Sequence, residues 1–431
     1  MPTQLSTPTT AFARLGSPRE FATDPSDNVD LEDTSATRET HVTFSCLRRS
    51  ALPLLCMAGL IVGILAAVGT FSGSGESIST GTSSTPAPTT HTPTTLSPSP
   101  TTKPTTVTPT PTLANGLCPL RGMYLSGTSC VACPTPKKTF SVFWESQVDC
   151  STFATSSAAA YVTHIYWSFA LIDPTTGTVS STFQGSSATL KACIAAARAK
   201  CIKNYVSIGG ATMRQTFVAL NSSAQLTTFA LSAAQVVQEY GFDGVDIDDE
   251  SGNLLAGGDW KANALPNVLV YLQGLKTQLA ALPRAATEPK YQITWDEFPT
   301  SLSTGCDLAS GDYLRCFDVR IANIVDQVNI MMYNSASSTD YDNFLNVVTP
   351  TEWATAMPAS KIVIGGCVGP IGTIGGCAFG AAPTATQLKA YASVGASKYG
   401  GTMLWTGSAD ANTANGATMV AMGVAGGYSA T

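Results

Sequence analysis

From about residue 138 onward, short apolar runs rich in β-branched and aromatic residues alternate with Ala-rich stretches of helical periodicity. The runs predict strands over 139–144, 163–171, 203–209, 242–248, 291–298, 326–333, 361–366 and 402–406. Between them, the clearest predicted helices span 187–200, 223–240, 265–282 and 384–399. Eight strands with helical crossovers in roughly 300 residues match an α/β fold of the (β/α)8 TIM-barrel type. An open doubly wound sheet gives the same alternation. No G-x-G-x-x-G follows the first strand and no G-K-[ST] occurs, so the sequence carries neither a dinucleotide fingerprint nor a phosphate-binding loop.

The first 137 residues obey other rules. Residues 1–50 are polar, carry both signs of charge and lack apolar periodicity, which predicts a disordered tail. Residues 51–71, ALPLLCMAGLIVGILAAVGTF, contain no charge and are long enough to cross a ~30 Å hydrocarbon core. A cleaved signal peptide is the competing reading, but such peptides start within a few residues of Met1 and fifty residues precede this run, so it is predicted as a transmembrane signal-anchor helix embedded in the lipid bilayer. Arg48 and Arg49 lie just before it and the next basic residue is Lys103, which places the N-terminus in the cytosol and the rest outside, a single-pass type II topology. Residues 72–112 are dominated by Ser, Thr and Pro and read as an extended stalk. A small cysteine-containing collar is predicted over 113–137, followed by the barrel over 138–431.

Composition narrows the function. The chain has 431 residues, 23 basic and 29 acidic side chains and a net charge of −6, which argues against nucleic acid as a partner. Three His leave little room for His-rich metal sites or Ser-His-Asp chemistry, and His164, at the start of the second strand, reads as a packed residue. No metal or cofactor is expected. Ten of the twelve Cys follow the stalk, as expected in an oxidising compartment. The close neighbours Cys193 and Cys201, Cys306 and Cys316, and Cys367 and Cys377 are expected as local staples. Cys130 and Cys133 form a CxxC, but no second pair follows to complete a zinc site. Asn221-Ser-Ser is a glycosylation sequon.

Charge matters most where it is concentrated. Asp243, Asp246, Asp248, Asp249 and Glu250 place five of the 29 acids within eight positions, with no Lys or Arg nearby in sequence. Strand alternation puts Asp246, Asp248 and Glu250 on one face and Val245 and Ile247 on the other. Three carboxylates in a row repel, so at least one should hold a proton near neutral pH. A calcium loop would need Gly at 251 and Glu at 257, where the chain has Ser251 and Gly257. At the C-terminal end of a barrel strand, such a set suits acid catalysis.

Asp243-x-x-Asp246-x-Asp248-x-Glu250 resembles the D-x-x-D-x-D-x-E signature of family 18 glycoside hydrolases, the chitinase family. Ser207-Ile208-Gly209-Gly210 resembles the family's S-x-G-G motif, Met331-Met332-Tyr333-Asn334 its M-x-Y-[DN] motif, and Trp405 its Trp on the last strand. Three features depart from the pattern: Asp249 and Ser251 stand where aromatics are common, and TWDEFP replaces a small residue followed by Pro on the fifth strand.

The resemblance implies substrate-assisted, retaining hydrolysis of β-1,4-linked N-acetylglucosamine polymers, so chitin or chitooligosaccharides are the expected partners. It implies Glu250 as general acid, Asp248 orienting the substrate's acetamido group, Asp246 sharing a proton with Asp248, and Tyr333 bonding the acetamido oxygen. Asp243, Ser207, Gly209, Gly210, Met331 and Trp405 are implied to bind substrate or shape the site. Trp144, Trp295 and Glu297 are further cleft candidates at strand ends, together with Asn334 and Asp296. Endo-acting cleavage of chitin is the leading expectation. An endo-β-N-acetylglucosaminidase acting on N-glycans and a chitin-binding lectin without turnover are the alternatives, and Glu250 counts against the lectin.

Overall fold

The computed structural model describes residues 118–430, apart from 181–182, 184–185, 253–258, 307–314 and 373–374. The predicted tail (1–50), membrane span (51–71), stalk (72–112) and first five collar residues therefore lie outside the described residues. No helix among the described residues is long and apolar enough to cross a membrane.

Ten strands are described. A hairpin of β1 (Met123–Ser126) and β2 (Ser129–Ala132) forms the collar. The barrel strands are β3 (Thr139–Glu145), β4 (His164–Ala170), β5 (Lys203–Gly209), β6 (Gly244–Asp248), β7 (Gln292–Glu297), β8 (Gln327–Met331), β9 (Ile362–Cys367) and β10 (Gly401–Trp405). All eight pair in parallel with their sequence neighbours, and β10 pairs with β3 to close the barrel. Closure excludes the open doubly wound sheet. Each strand falls within two residues of its predicted bounds.

The four predicted helices appear as Ser187–Arg198, Ser223–Tyr240, Leu265–Ala281 and Ala385–Lys398. Two begin with a capping box, in which Ser222 with Gln225 and Thr384 with Gln387 satisfy otherwise unpaired amide groups. Other crossovers are irregular: β3 and β4 are linked through the short turns Phe153–Thr155 and Ser157–Ala160.

Side-chain alternation divides the core in two. Val245, Ile247, Ile293, Trp295, Val328 and Ile330 face outward and pack beneath the helices. A smaller cluster of Phe143, Tyr166, Tyr205, Met331, Val363 and Met403 fills the barrel interior. Inward positions of β6 and β7 are instead polar, and this departure from a filled apolar barrel marks the site.

Five disulfides are formed: Cys118–Cys130, Cys133–Cys201, Cys150–Cys193, Cys306–Cys316 and Cys367–Cys377. Two expected staples are present, but Cys193 and Cys201 do not pair. Cys193 lies within the helix Ser187–Arg198 and Cys201 follows it. Eight residues of helix would span about 12 Å, beyond the roughly 7 Å Cα separation a disulfide tolerates. Each instead fastens a different segment, and Cys133–Cys201 ties the collar to the start of β5. Both sulfurs of the Cys130–Cys133 motif are thus consumed in disulfides.

Candidate active site

The C-terminal end of β6 carries the acidic set. Parallel register aligns Ser207 on β5 with Asp246, and Asp246 with Thr294 on β7. The side chains follow: Ser207 Oγ donates to Asp246 Oδ2 at 2.8 Å, and Thr294 Oγ1 donates to Asp246 Oδ1. Asn329 on β8 donates Nδ2 to Asp246 Oδ1 at 3.2 Å and to Asp296 Oδ1 at 2.8 Å, bridging two carboxyls. Burial pushes Asp246 up to about 6 despite these donors.

Asp248 is more poorly compensated. Its Oδ1 is buried with no hydrogen-bond partner among the described residues. Burial, then Glu250 and Asp246, hold its proton affinity well above the usual carboxylate range, against the opposing charge of Arg315. Burial likewise pushes Glu250 up to about 7, against Arg214 and Arg315 and with Asp249 adding to the shift. Asp296 is raised by burial and by Asp246 and Asp248. Proton affinity is therefore raised throughout the barrel mouth, with the Tyr333 phenol held neutral by burial and by the same carboxylates.

Two glycines let the backbone close around it. Gly209 has φ +123° and a Cβ there would fall 2.2 Å from the Asp248 carbonyl oxygen; Gly210 has φ +83° and faces the Phe169 ring. The Gly210 amide donates to that same carbonyl at 2.9 Å, fixing the chain just before Glu250. Trp405 is partly exposed, with its ring stacked on Phe169 at 5.7 Å and tilted against Phe143 at 5.3 Å. Its indole N–H donates to the Gly376 carbonyl. Met331 belongs to the inner cluster. Asn334 sits at φ +58° and its Oδ1 accepts from the Ala378 amide, so it anchors a neighbouring loop.

Four expected site residues lie elsewhere. Asp243 precedes β6 at the opposite, N-terminal end, where it pairs with Arg121 of the collar at 3.2 Å and accepts the Asn204 amide. Trp144 and Trp295 are completely enclosed in the layer between barrel and helices. Glu297 shares that outward face and pairs with buried Arg315 at 2.9 Å. Alternation supplies the reason: Thr294 and Asp296 face inward, so Trp295 and Glu297 must face outward. Trp167 also faces outward, bonded to Asn204. His164 is buried at the start of β4 against Thr163 and Tyr205, and burial keeps it neutral.

Sequence reasoning missed Asn329 and Thr294, although each shares strand parity with a residue it did single out: Asn329 with Met331, Thr294 with Asp296. Arg315 left no such signal, because it lies outside any strand or predicted helix.

Comparison with known proteins bears on the family and the fold. Exochitinase 1 of Streptomyces olivaceoviridis is 29% identical over 181 residues, covering 40% of this chain and 30% of that protein. Endochitinase 1 of Metarhizium anisopliae is 28% identical over 181 residues, covering 38% and 39% respectively. This chain thus matches only about a third of the length of these relatives. The crystal structure of a class V chitinase from Nicotiana tobaccum superposes with a TM-score of 0.51 at 13% identity, over 67% of this chain and 99% of that one, a likeness of fold. The sequence profile described as "Glycosyl hydrolases family 18" matches residues 139–366, more than half of the chain, and the protein therefore belongs to that family.

Proposed function

We propose that the protein is a chitinase that cleaves β-1,4 bonds between N-acetylglucosamine units from within the chain, by substrate-assisted, retaining catalysis. The observation carrying this reading is the pair of buried carboxyls Asp246 and Asp248 at the barrel mouth, with half-buried Glu250 just beyond the strand end, all three raised in proton affinity. Glu250 protonates the leaving glycosidic oxygen. The substrate's acetamido oxygen attacks the anomeric carbon, and the resulting positive charge is met by Asp248. Asp246, fixed by Ser207, Thr294 and Asn329, shares a proton with Asp248 so that the set never carries its full charge. Tyr333 donates to the acetamido oxygen, and Trp405 offers an apolar floor to the sugar. With the leaving group gone, Glu250 takes a proton from the incoming water.

Incubation of the purified protein with chitooligosaccharides and, separately, with a high-mannose glycoprotein tests this reading. Internal cleavage of the oligosaccharides alone supports it. Deglycosylation of the glycoprotein replaces it with an N-glycan-directed activity, and binding without products replaces it with a lectin.

We further propose that residues 51–71 anchor the enzyme with the barrel on the extracellular or luminal side. Five disulfides support an oxidising compartment. Protease added to intact cells should release the barrel, and a protected barrel would contradict a surface location.

A further inference from the structure

Behind the carboxylate cluster, on the outward side of β6 and β7, lies a second charged group that the proposed chemistry does not use. Arg315 is completely buried. Its Nε donates to Glu297 Oε1 at 2.9 Å and its Nη2 to the Asp296 carbonyl oxygen at 3.3 Å, both at the end of β7. Its Nη1 lies 3.6 Å from Asp249 Oδ1, just beyond β6. The guanidinium packs against the rings of Trp260, Trp295 and Phe298 at 4.8 to 5.1 Å. Its neighbour Cys316 is stapled to Cys306.

Both acids are themselves fixed. Asp249 accepts the Ser251 amide and the Tyr271 hydroxyl; Glu297 accepts Trp295 Nε1, the Phe298 amide and Ser301 Oγ. Each is next in the chain to inward carboxyls: Asp249 stands between Asp248 and Glu250, and Glu297 follows Asp296. One guanidinium therefore spans the two strand ends that present the acidic cluster, hydrogen-bonded to the end of β7 and held beside Asp249 by charge, with Nη1 making no hydrogen bond among the described residues.

We propose that Arg315 is a positioning residue for hydrolysis, a buried clamp that holds the strand end carrying Glu250 against the strand end carrying Asp296. It touches no substrate. A lysine cannot reproduce it, because a point charge cannot reach both strand ends in a fork. The clamp also acts through charge. The groups facing Glu250 are Asp248 and Asp249 on its own segment, Arg214 after β5, Tyr333 after β8, and Arg315. Of these, Arg214 and Arg315 oppose proton retention, so removing Arg315 makes Glu250 hold its proton to higher pH.

This inference rests on Glu250 being the general acid, and its test separates the two. Arg315→Lys and Arg315→Gln are compared with the wild type in kcat, KM and the pH profile on a chitooligosaccharide, each corrected for folded fraction by circular dichroism. In Arg315→Lys, kcat should fall about tenfold with KM nearly unchanged and the alkaline limb in place. In Arg315→Gln, the alkaline limb should also move upward by about half a pH unit or more. Should the Gln variant fail to fold, leaving Asp249 and Glu297 buried without a cation, the Lys variant decides. A folded Lys variant with wild-type kcat overturns the clamp, as does a folded Gln variant with an unmoved limb. If Glu250→Gln retains wild-type turnover, the general-acid reading falls first and the clamp falls with it.

Discussion

Asp243 and Asp248 stand at opposite ends of β6, and the same side chain does opposite work at each. At the N-terminal end, Asp243 has a guanidinium at 3.2 Å and a backbone amide at 2.9 Å. That carboxylate is compensated, and it fastens the collar to the barrel together with Cys133–Cys201. At the C-terminal end, Asp248 has a bare buried oxygen and carboxylates on either side. The fold meets one carboxylate with a cation and leaves the other with a raised proton affinity. An acid satisfied by an arginine contributes stability; an acid that must borrow a proton is costly to fold and available for proton transfer.

The sharpest way to test the comparison is to remove a proton donor from the uncompensated end. Glu250→Gln keeps the shape and removes the transferable proton. Turnover of a chitooligosaccharide should drop by about three orders of magnitude or more. The far-ultraviolet spectrum should stay native. Near-normal kcat in this variant would place the chemistry elsewhere.

The opposite variant belongs to the other end. Arg121→Met strands Asp243, Glu288 and the Pro289 carbonyl, all of which Arg121 now contacts. Breaking one side of a buried pair costs about 3 kcal/mol, so the denaturant midpoint should fall while kcat of the folded fraction stays within about twofold of the wild type. A large loss of kcat with unchanged stability would mean that Asp243 serves the site after all.

How much of this was legible in the sequence follows from which physics writes itself into local pattern. All eight barrel strands were, because β-branched runs between Ala-rich helices leave a periodic trace. So was the placement of Asp246 and Asp248 on one inward face, which needs only the two-residue strand period; Glu250 lies beyond the strand end at Asp248. The errors on Asp243 and on Glu297 have one origin. A motif spells out order but not the end or side of the strand on which each residue falls. Counting back from Glu250 puts Asp243 seven residues away, at the far end of a five-residue strand. Glu297 looked like a cleft acid beside Asp296, yet adjacent strand residues cannot both face inward. Arg315 depends on a contact across 18 residues to Glu297 and 66 to Asp249, and no local pattern records such a meeting.

The smallest expected effect is the most direct reading of the asymmetry, because it asks whether the uncompensated end burdens the fold. The folded protein raises Glu250 from an ordinary value of 4.5 to about 7. A carboxyl raised on folding binds its proton more tightly in the native state than in the unfolded chain, so the native state gains stability as pH falls. Above about pH 7 both states are ionised and the whole burial cost is present; between 7 and 4.5 it is progressively relieved; below 4.5 it vanishes. Glu250→Gln removes the charge at every pH. Glu250 also helps raise Asp248, so the substitution relieves its neighbour in the same direction. The variant should exceed the wild type by about 1–2 kcal/mol at pH 8, after allowance for the partial solvent access of the Glu250 side chain, and converge with it by pH 4. Chemical denaturation at the two pH values measures the difference. Equal stability at both would mean that Glu250 is as well compensated as Asp243, and the contrast between the two ends of β6 would disappear.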